Sequence, residues 1–131
     1  MTGIDTNVLT RFIMQDDRYQ SPAASRFLES LTPENPGFIA LVTVAELGWV
    51  LMRRYKLSRR QFAEAMDSLF GSTQVVIENA SLVADAFLLF ERTNADFSDC
   101  LVSLSAKSAG CDAVATFDIR AAKLLNMNLL K

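Results

Sequence analysis

Met1-Thr2-Gly3-Ile4-Asp5-Thr6-Asn7-Val8-Leu9 opens the chain with a very short apolar lead that ends on a carboxylate. Thr6 and Asn7 are helix-start residue types and an apolar pair follows them, so the stretch reads as strand, acid, helix. In an open α/β sheet such an acid lies beyond the carboxyl end of its strand, where these folds bind ligands.

The same unit recurs along the chain. Val8, Leu9, Phe12 and Ile13 fall at helical spacing, and a second helix is predicted over 22–31 before a loop at 32–37 that holds two prolines and a glycine. Residues 38–42 are an apolar run of strand length, and Thr43-Val44-Ala45-Glu46 matches a capping box at the start of a helix reaching residue 55. That helix has almost no polar face, which predicts cover on two sides. Ser58 caps a helix to residue 70, 74–77 is a strand, and 81–93 is a helix. Asp96-Phe97-Ser98-Asp99 opens another helix, which stops at Gly110. Residues 113–116 are strand, Asp118 starts the last helix, and 127–130 close the chain as strand. This alternation predicts a three-layer α/β domain, a parallel sheet of about five strands with helices on both faces. Right-handed crossovers then bring the strand ends to one edge.

A chain of 131 residues is one domain by length, 1–131, and can bury an ordinary core. With 13 basic and 15 acidic residues the net charge is −2, so bulk charge does not grip nucleic acid; local basic patches or a metal must do so. Histidine is absent, which removes the usual general base, the usual transition-metal ligand and every Ser-His or Cys-His device. Cys100 and Cys111 lack metal-ligand spacing and read as core thiols in a reducing compartment. No secretory signal or apolar run of ~20 residues stands out, so a soluble, cytoplasmic protein is expected, with no membrane partner.

Four carboxylates stand out by position: Asp5, Glu46, Asp99 and Asp118 each follow a strand or open the helix after one. Each also lies where helix N-terminal donors favour an acid, so each taken singly can be a cap. Four acids converging on one sheet edge would repel one another, and a divalent cation resolves that repulsion. Oxygen-only ligands without histidine point to Mg²⁺ or Mn²⁺. Asp96 can be the cap of its helix or an accessory ligand. Asp16, Asp17, Asp67, Asp85, Asp112, Glu64 and Glu78 read as solvated faces or turns.

Asp5-Thr6-Asn7-Val8-Leu9, Thr43-Val44-Ala45-Glu46-Leu47, Asp96-Phe97-Ser98-Asp99-Cys100-Leu101 and Thr116-Phe117-Asp118, in this order, resemble the PIN-domain family, most closely the VapC-type toxin ribonucleases of toxin–antitoxin pairs. The likeness spans nearly the whole chain. It implies a parallel five-stranded sheet and Mg²⁺-dependent endoribonuclease activity. Asp5, Glu46 and Asp99 match the principal acids, Asp118 the more variable fourth, and Thr116 a hydroxyl residue beside it. Thr6 and Asn7 would support the Asp5 carboxylate. Cys100 stands where the family often has alanine, and Asn126 where glycine commonly ends the last helix. The resemblance also implies a small antitoxin that blocks the acidic site, and a homodimer.

Chemically, one or two ions held by Asp5, Asp99 and Asp118, with Glu46 directly or through water, would bind the scissile phosphate and activate water for hydrolysis. The basic track for RNA, transfer RNA among the candidates, would come from Arg11 and from Arg53, Arg54 and Lys56 in the cluster running to Arg60, a cluster that reads equally as a solvated helix corner. Two other readings stand beside this one. In a catalytically silent PIN-like binding module the acids only cap helices. A phosphoacceptor receiver domain would need an aspartate after the third strand, where the chain has Val76-Ile77-Glu78, and a late lysine near the pocket, where Lys107 lies deep in a helix.

Overall fold

Strand β1 (Thr2–Gly3) and helix α1 (Thr6–Met14) flank Asp5, which is the N-cap of α1 in extended backbone. The helix buries Leu9 completely and ends at Gln15, whose φ of 50° turns the backbone left-handed. In the computed structural model, which describes residues 1–131, these elements belong to the first of two compact units, Met1–Glu78, the second being Asn79–Lys131.

The first unit continues with α2 (Gln20–Ser30), β2 (Gly37–Ile39), α3 (Leu41–Trp49), a π-helical segment Val50–Arg54, α4 (Arg59–Phe70) and β3 (Val75–Ile77). The turn into α2 is built by Asp17, whose Oδ1 accepts the N–H groups of Tyr19 and Gln20 at 2.9 and 2.7 Å. Its three strands form one parallel sheet in the order β1-β2-β3, with Gly3 opposite Phe38 and Phe38 opposite Val76. A Cβ on Gly37 would meet Ile4 Cδ1 at 2.5 Å and Leu31 Cδ1 at 2.9 Å, so a side chain here would make both of these core side chains shift. Ile39, Val44, Leu47, Leu51, Phe62 and Met66 are fully buried and form the core of the unit. Ser58 caps α4 through a complete capping box, its Oγ accepting the Gln61 N–H while Gln61 Oε1 accepts the Ser58 N–H.

The predicted capping box at Thr43–Glu46 does not form. Helix α3 begins two residues earlier, at Leu41, with Ala40 as N-cap, and strand β2 is correspondingly shorter than 38–42. The cap comes from elsewhere in the unit: Glu78 Oε1 accepts the Leu41 N–H at 2.8 Å, so Glu78 is a helix cap and no idle turn residue. The apolar α3 is also less covered than its composition implies, since Val42 and Trp49 are 74% and 50% exposed.

The second unit comprises α5 (Ala80–Arg92), α6 (Phe97–Ser108), β4 (Ala115–Thr116), α7 (Ile119–Leu125) and β5 (Asn128–Leu129). Phe87, Phe90 and Phe97 form a ring cluster with centroids 6.0 to 6.4 Å apart, two of the three pairs edge to face. Asn126 takes the left-handed turn after α7 at φ 55°, as its place in the sequence predicts. Cys100 is a buried core thiol, but Cys111 is exposed, just past the end of α6, where no apolar surface covers it.

The α/β class holds, and all five strands pair in parallel. The single sheet of about five strands is corrected: three strands pair in the first unit, and β4 pairs with β5 in the second, Ala115 opposite Asn128. Strands of two or three residues make so few ladder bonds that each pairing is short. No helix is long and apolar enough to cross a membrane.

Candidate active site

Asp5 lies at the carboxyl end of β1 and spends one carboxylate oxygen on its own helix, Oδ1 accepting the Thr6 N–H at 2.7 Å. Glu46 lies in the second turn of α3, clear of the helix start, and its side chain does no capping. Both acids line one groove of about 650 Å³, together with Thr6, Asn7, Arg11, Trp49, Arg54 and Tyr55. The first unit thus brings Asp5, Glu46, Thr6, Asn7, Arg11 and Arg54 of the predicted set to one surface; Arg53 and Lys56 do not line it.

Thr6 supports Asp5 through its backbone, and its hydroxyl does something else. Thr6 is buried, and its Oγ1 has no hydrogen-bond partner. A buried hydroxyl left without a partner is costly, and such atoms in native proteins commonly mark a place where a ligand or water completes the structure. Directly below it, the Thr10 hydroxyl donates to the Thr6 carbonyl at 2.9 Å, which fixes the first turn of α1.

The π-helical segment shapes the other wall. Its wider turn, closed by the Tyr55 N–H to the Val50 carbonyl at 3.1 Å, carries Val50, Arg54 and Tyr55 to the groove beside Trp49. Such turns are frequent at functional sites. Arg11 reaches this wall from α1, with Nη1 donating to both oxygens of Asp16 at 3.0 Å and Nε donating to Gln20 Oε1 at 2.8 Å. The Tyr55 hydroxyl donates to Asp16 Oδ2 at 2.7 Å. These contacts hold the Asp16 carboxyl below its ordinary range, first through the Tyr55 hydroxyl and then through Arg11, and they raise the Tyr55 phenol. The composition of Asp16 and its neighbours gave no hint of this network, because its partners lie on separate elements.

In the second unit Asp96 is the N-cap of α6, its Oδ1 accepting the N–H groups of Ser98 and Asp99 at 2.8 and 3.3 Å. Asp99 follows in the first turn, half-buried between the core residues Phe97 and Cys100. Asp118 caps α7 with Oδ1 on the Ala121 N–H at 2.9 Å, while Thr116 Oγ1 accepts the Asp118 N–H at 2.9 Å and orients it. Neither unit by itself gathers three carboxylates into a ligating set. Asp5 and Asp118 each use one carboxylate oxygen on their own helix, so capping does not exhaust their ligating capacity.

Residues 4–125 match the PIN domain family, a span that takes in all four acids. The chain belongs to the PIN domain family. Among curated proteins it is similar to a VapC ribonuclease from Aquifex aeolicus, 26% identical over 125 residues that cover 95% of this chain and 92% of the relative. Among solved structures it is similar to FitAcB from Neisseria gonorrhoeae, at 19% identity and a TM-score of 0.39, covering 100% of this chain and 97% of the other.

Proposed function

We propose that the chain is a metal-dependent endoribonuclease, the toxin of a toxin–antitoxin pair, with Mg²⁺ or Mn²⁺ held by Asp5, Asp99 and Asp118 and with Glu46 directly or through water. The observation that carries this reading is the groove of the first unit, where Asp5 and Glu46 share a surface with Arg11 and Arg54 in a chain of the PIN family. The donor chemistry fits a hard cation: the acids offer oxygen only and histidine is absent. Bound there, the ion would supply neutralisation of phosphate charge and activation of water.

The chain's own residues do the rest. Thr6 N–H and Thr116 Oγ1 hold Asp5 and Asp118 in place, and Asp96 anchors the turn that carries Asp99. Arg11 and Arg54 draw the RNA backbone, transfer RNA being one candidate, toward the acids, and Arg53 and Lys56 extend the basic track beyond the groove. A small antitoxin protein blocks the acidic groove, the protein acts in the cytoplasm, and the exposed Val42 and Trp49 of α3 provide a surface for the antitoxin or for a second copy in a homodimer.

The caps formed by Asp5, Asp96 and Asp118 are the specific observation that favours a second reading, a silent PIN-like module whose acids serve only their helices. Magnesium separates the two. A cation that binds only the native state raises the melting temperature, by about 2.7 kcal/mol of added stability at a hundred times Kd. The nuclease reading expects a saturable rise with millimolar Mg²⁺ in the unmodified protein, smaller in Asp99→Asn; an unmoved melting curve supports the silent module.

A further inference from the structure

The contacts of Arg11 point beyond a loosely attracted surface cation. Three separate elements converge on it: α1 carries the guanidinium, the turn after α1 carries Asp16, and the residue closing the π-helical segment is Tyr55. Nε is taken by Gln20, and Nη1 is taken by both Asp16 oxygens, with the Tyr55 hydroxyl at 3.3 Å. Tyr55 in turn donates to Asp16, which closes a ring of three side chains. These bonds engage Nε and Nη1 and leave the Nη2 N–H pair without a partner in the chain. Arg11 and Tyr55 both line the groove that contains Asp5 and Glu46.

A guanidinium held at two nitrogens and open at the third suits an oxyanion, because Nη2 offers charge-assisted N–H donors and the ordering cost of the side chain has already been met. We propose that Asp16 and Tyr55 are positioning residues that hold Arg11 over the Asp5–Glu46 groove as the receptor for a backbone phosphate of the RNA. The proposal rests on the ribonuclease reading and names the element of the site that sets substrate affinity. The π-helical segment then has a purpose: its wider turn delivers the Tyr55 hydroxyl to Asp16. Tyr55 and Asp16 act only through Arg11 and touch neither the phosphate nor the reacting atoms.

Steady-state cleavage of an RNA oligonucleotide by the full chain in Mg²⁺ tests this, with Tyr55→Phe, Asp16→Asn, Arg11→Gln and the double variant Tyr55→Phe/Arg11→Gln. Arg11→Gln should raise KM by about tenfold, the loss of one charge-assisted phosphate contact, and should lower the slope of log affinity against log salt by about one. Tyr55→Phe and Asp16→Asn should each raise KM severalfold, with the change falling on KM and not on kcat. In the Arg11→Gln background, Tyr55→Phe should add nothing further. Unchanged KM in the single variants overturns the proposal, as does a Tyr55→Phe effect of equal size with or without Arg11, which would mark a merely structural tyrosine. Wild-type protein that fails to cut RNA in Mg²⁺ overturns the ribonuclease reading and this proposal together; wild-type cleavage with KM indifferent to all four variants overturns this proposal alone.

Discussion

Asp5→Asn is expected to lower kcat for RNA cleavage in Mg²⁺ by about 10² to 10³-fold, the scale of losing a group that stabilises charge in the transition state. The substitution keeps an oxygen at the position that accepts the Thr6 N–H, and asparagine is as good an N-cap as aspartate. Without added Mg²⁺ the melting temperature should therefore hold, while activity in Mg²⁺ collapses. Asp5→Ala removes both roles and should add a stability loss of about 1 kcal/mol to the same loss of activity. The pair separates the cap from the ligand in one experiment read by cleavage rate and thermal melting. Full activity in Asp5→Asn would falsify a catalytic role for this carboxylate and leave it a helix cap.

Phe97→Ala should cost about 3–5 kcal/mol, a large part of the stability of a chain this size. Phe97 is 2% exposed, meets Phe87 and Phe90 edge to face, and sits between Asp96 and Asp99 at the start of α6. Removing the ring opens a cavity beneath the turn that holds Asp99, so stability and cleavage should fall together. Urea unfolding followed by circular dichroism checks it; Phe97→Leu, which keeps most of the volume, should cost markedly less. A midpoint unmoved in Phe97→Ala would mean that the ring cluster does not support this turn.

The first of these experiments bears on a residue that the sequence makes prominent, and the reason is local. Asp5 as N-cap, the Ser58 cap, the Asp96 turn and the left-handed Asn126 all rest on contacts within a few residues, where side-chain type predicts backbone geometry. The misread features depend on partners far apart in the chain. Glu46 looked like the third residue of a capping box because the true cap of α3, Glu78, lies 37 positions from Leu41. Glu46 is thereby left without a capping duty and lines the groove. Asp16 read as a solvated turn for the same reason: Tyr55, its hydroxyl partner, is 39 positions away. The division of the five strands into sets of three and two was also beyond local reading, because two-residue strands carry little pattern of their own.

The arrangement around Asp5 now has two layers of meaning. The carboxylate serves its helix with one oxygen, and the groove beside it collects Glu46 and a fixed arginine. A helix cap requires only the first of these. The central claim is that the acids of this PIN-family chain cut RNA with the help of a divalent ion, and one assay addresses it directly: purified protein incubated with end-labelled structured RNA or transfer RNA, with Mg²⁺ and with EDTA. The expected result is cleavage in Mg²⁺, its loss in EDTA, and its return when excess Mg²⁺ or Mn²⁺ is added. Cleavage that persists in EDTA, or RNA that stays intact in Mg²⁺ across a panel of such substrates, would contradict the account.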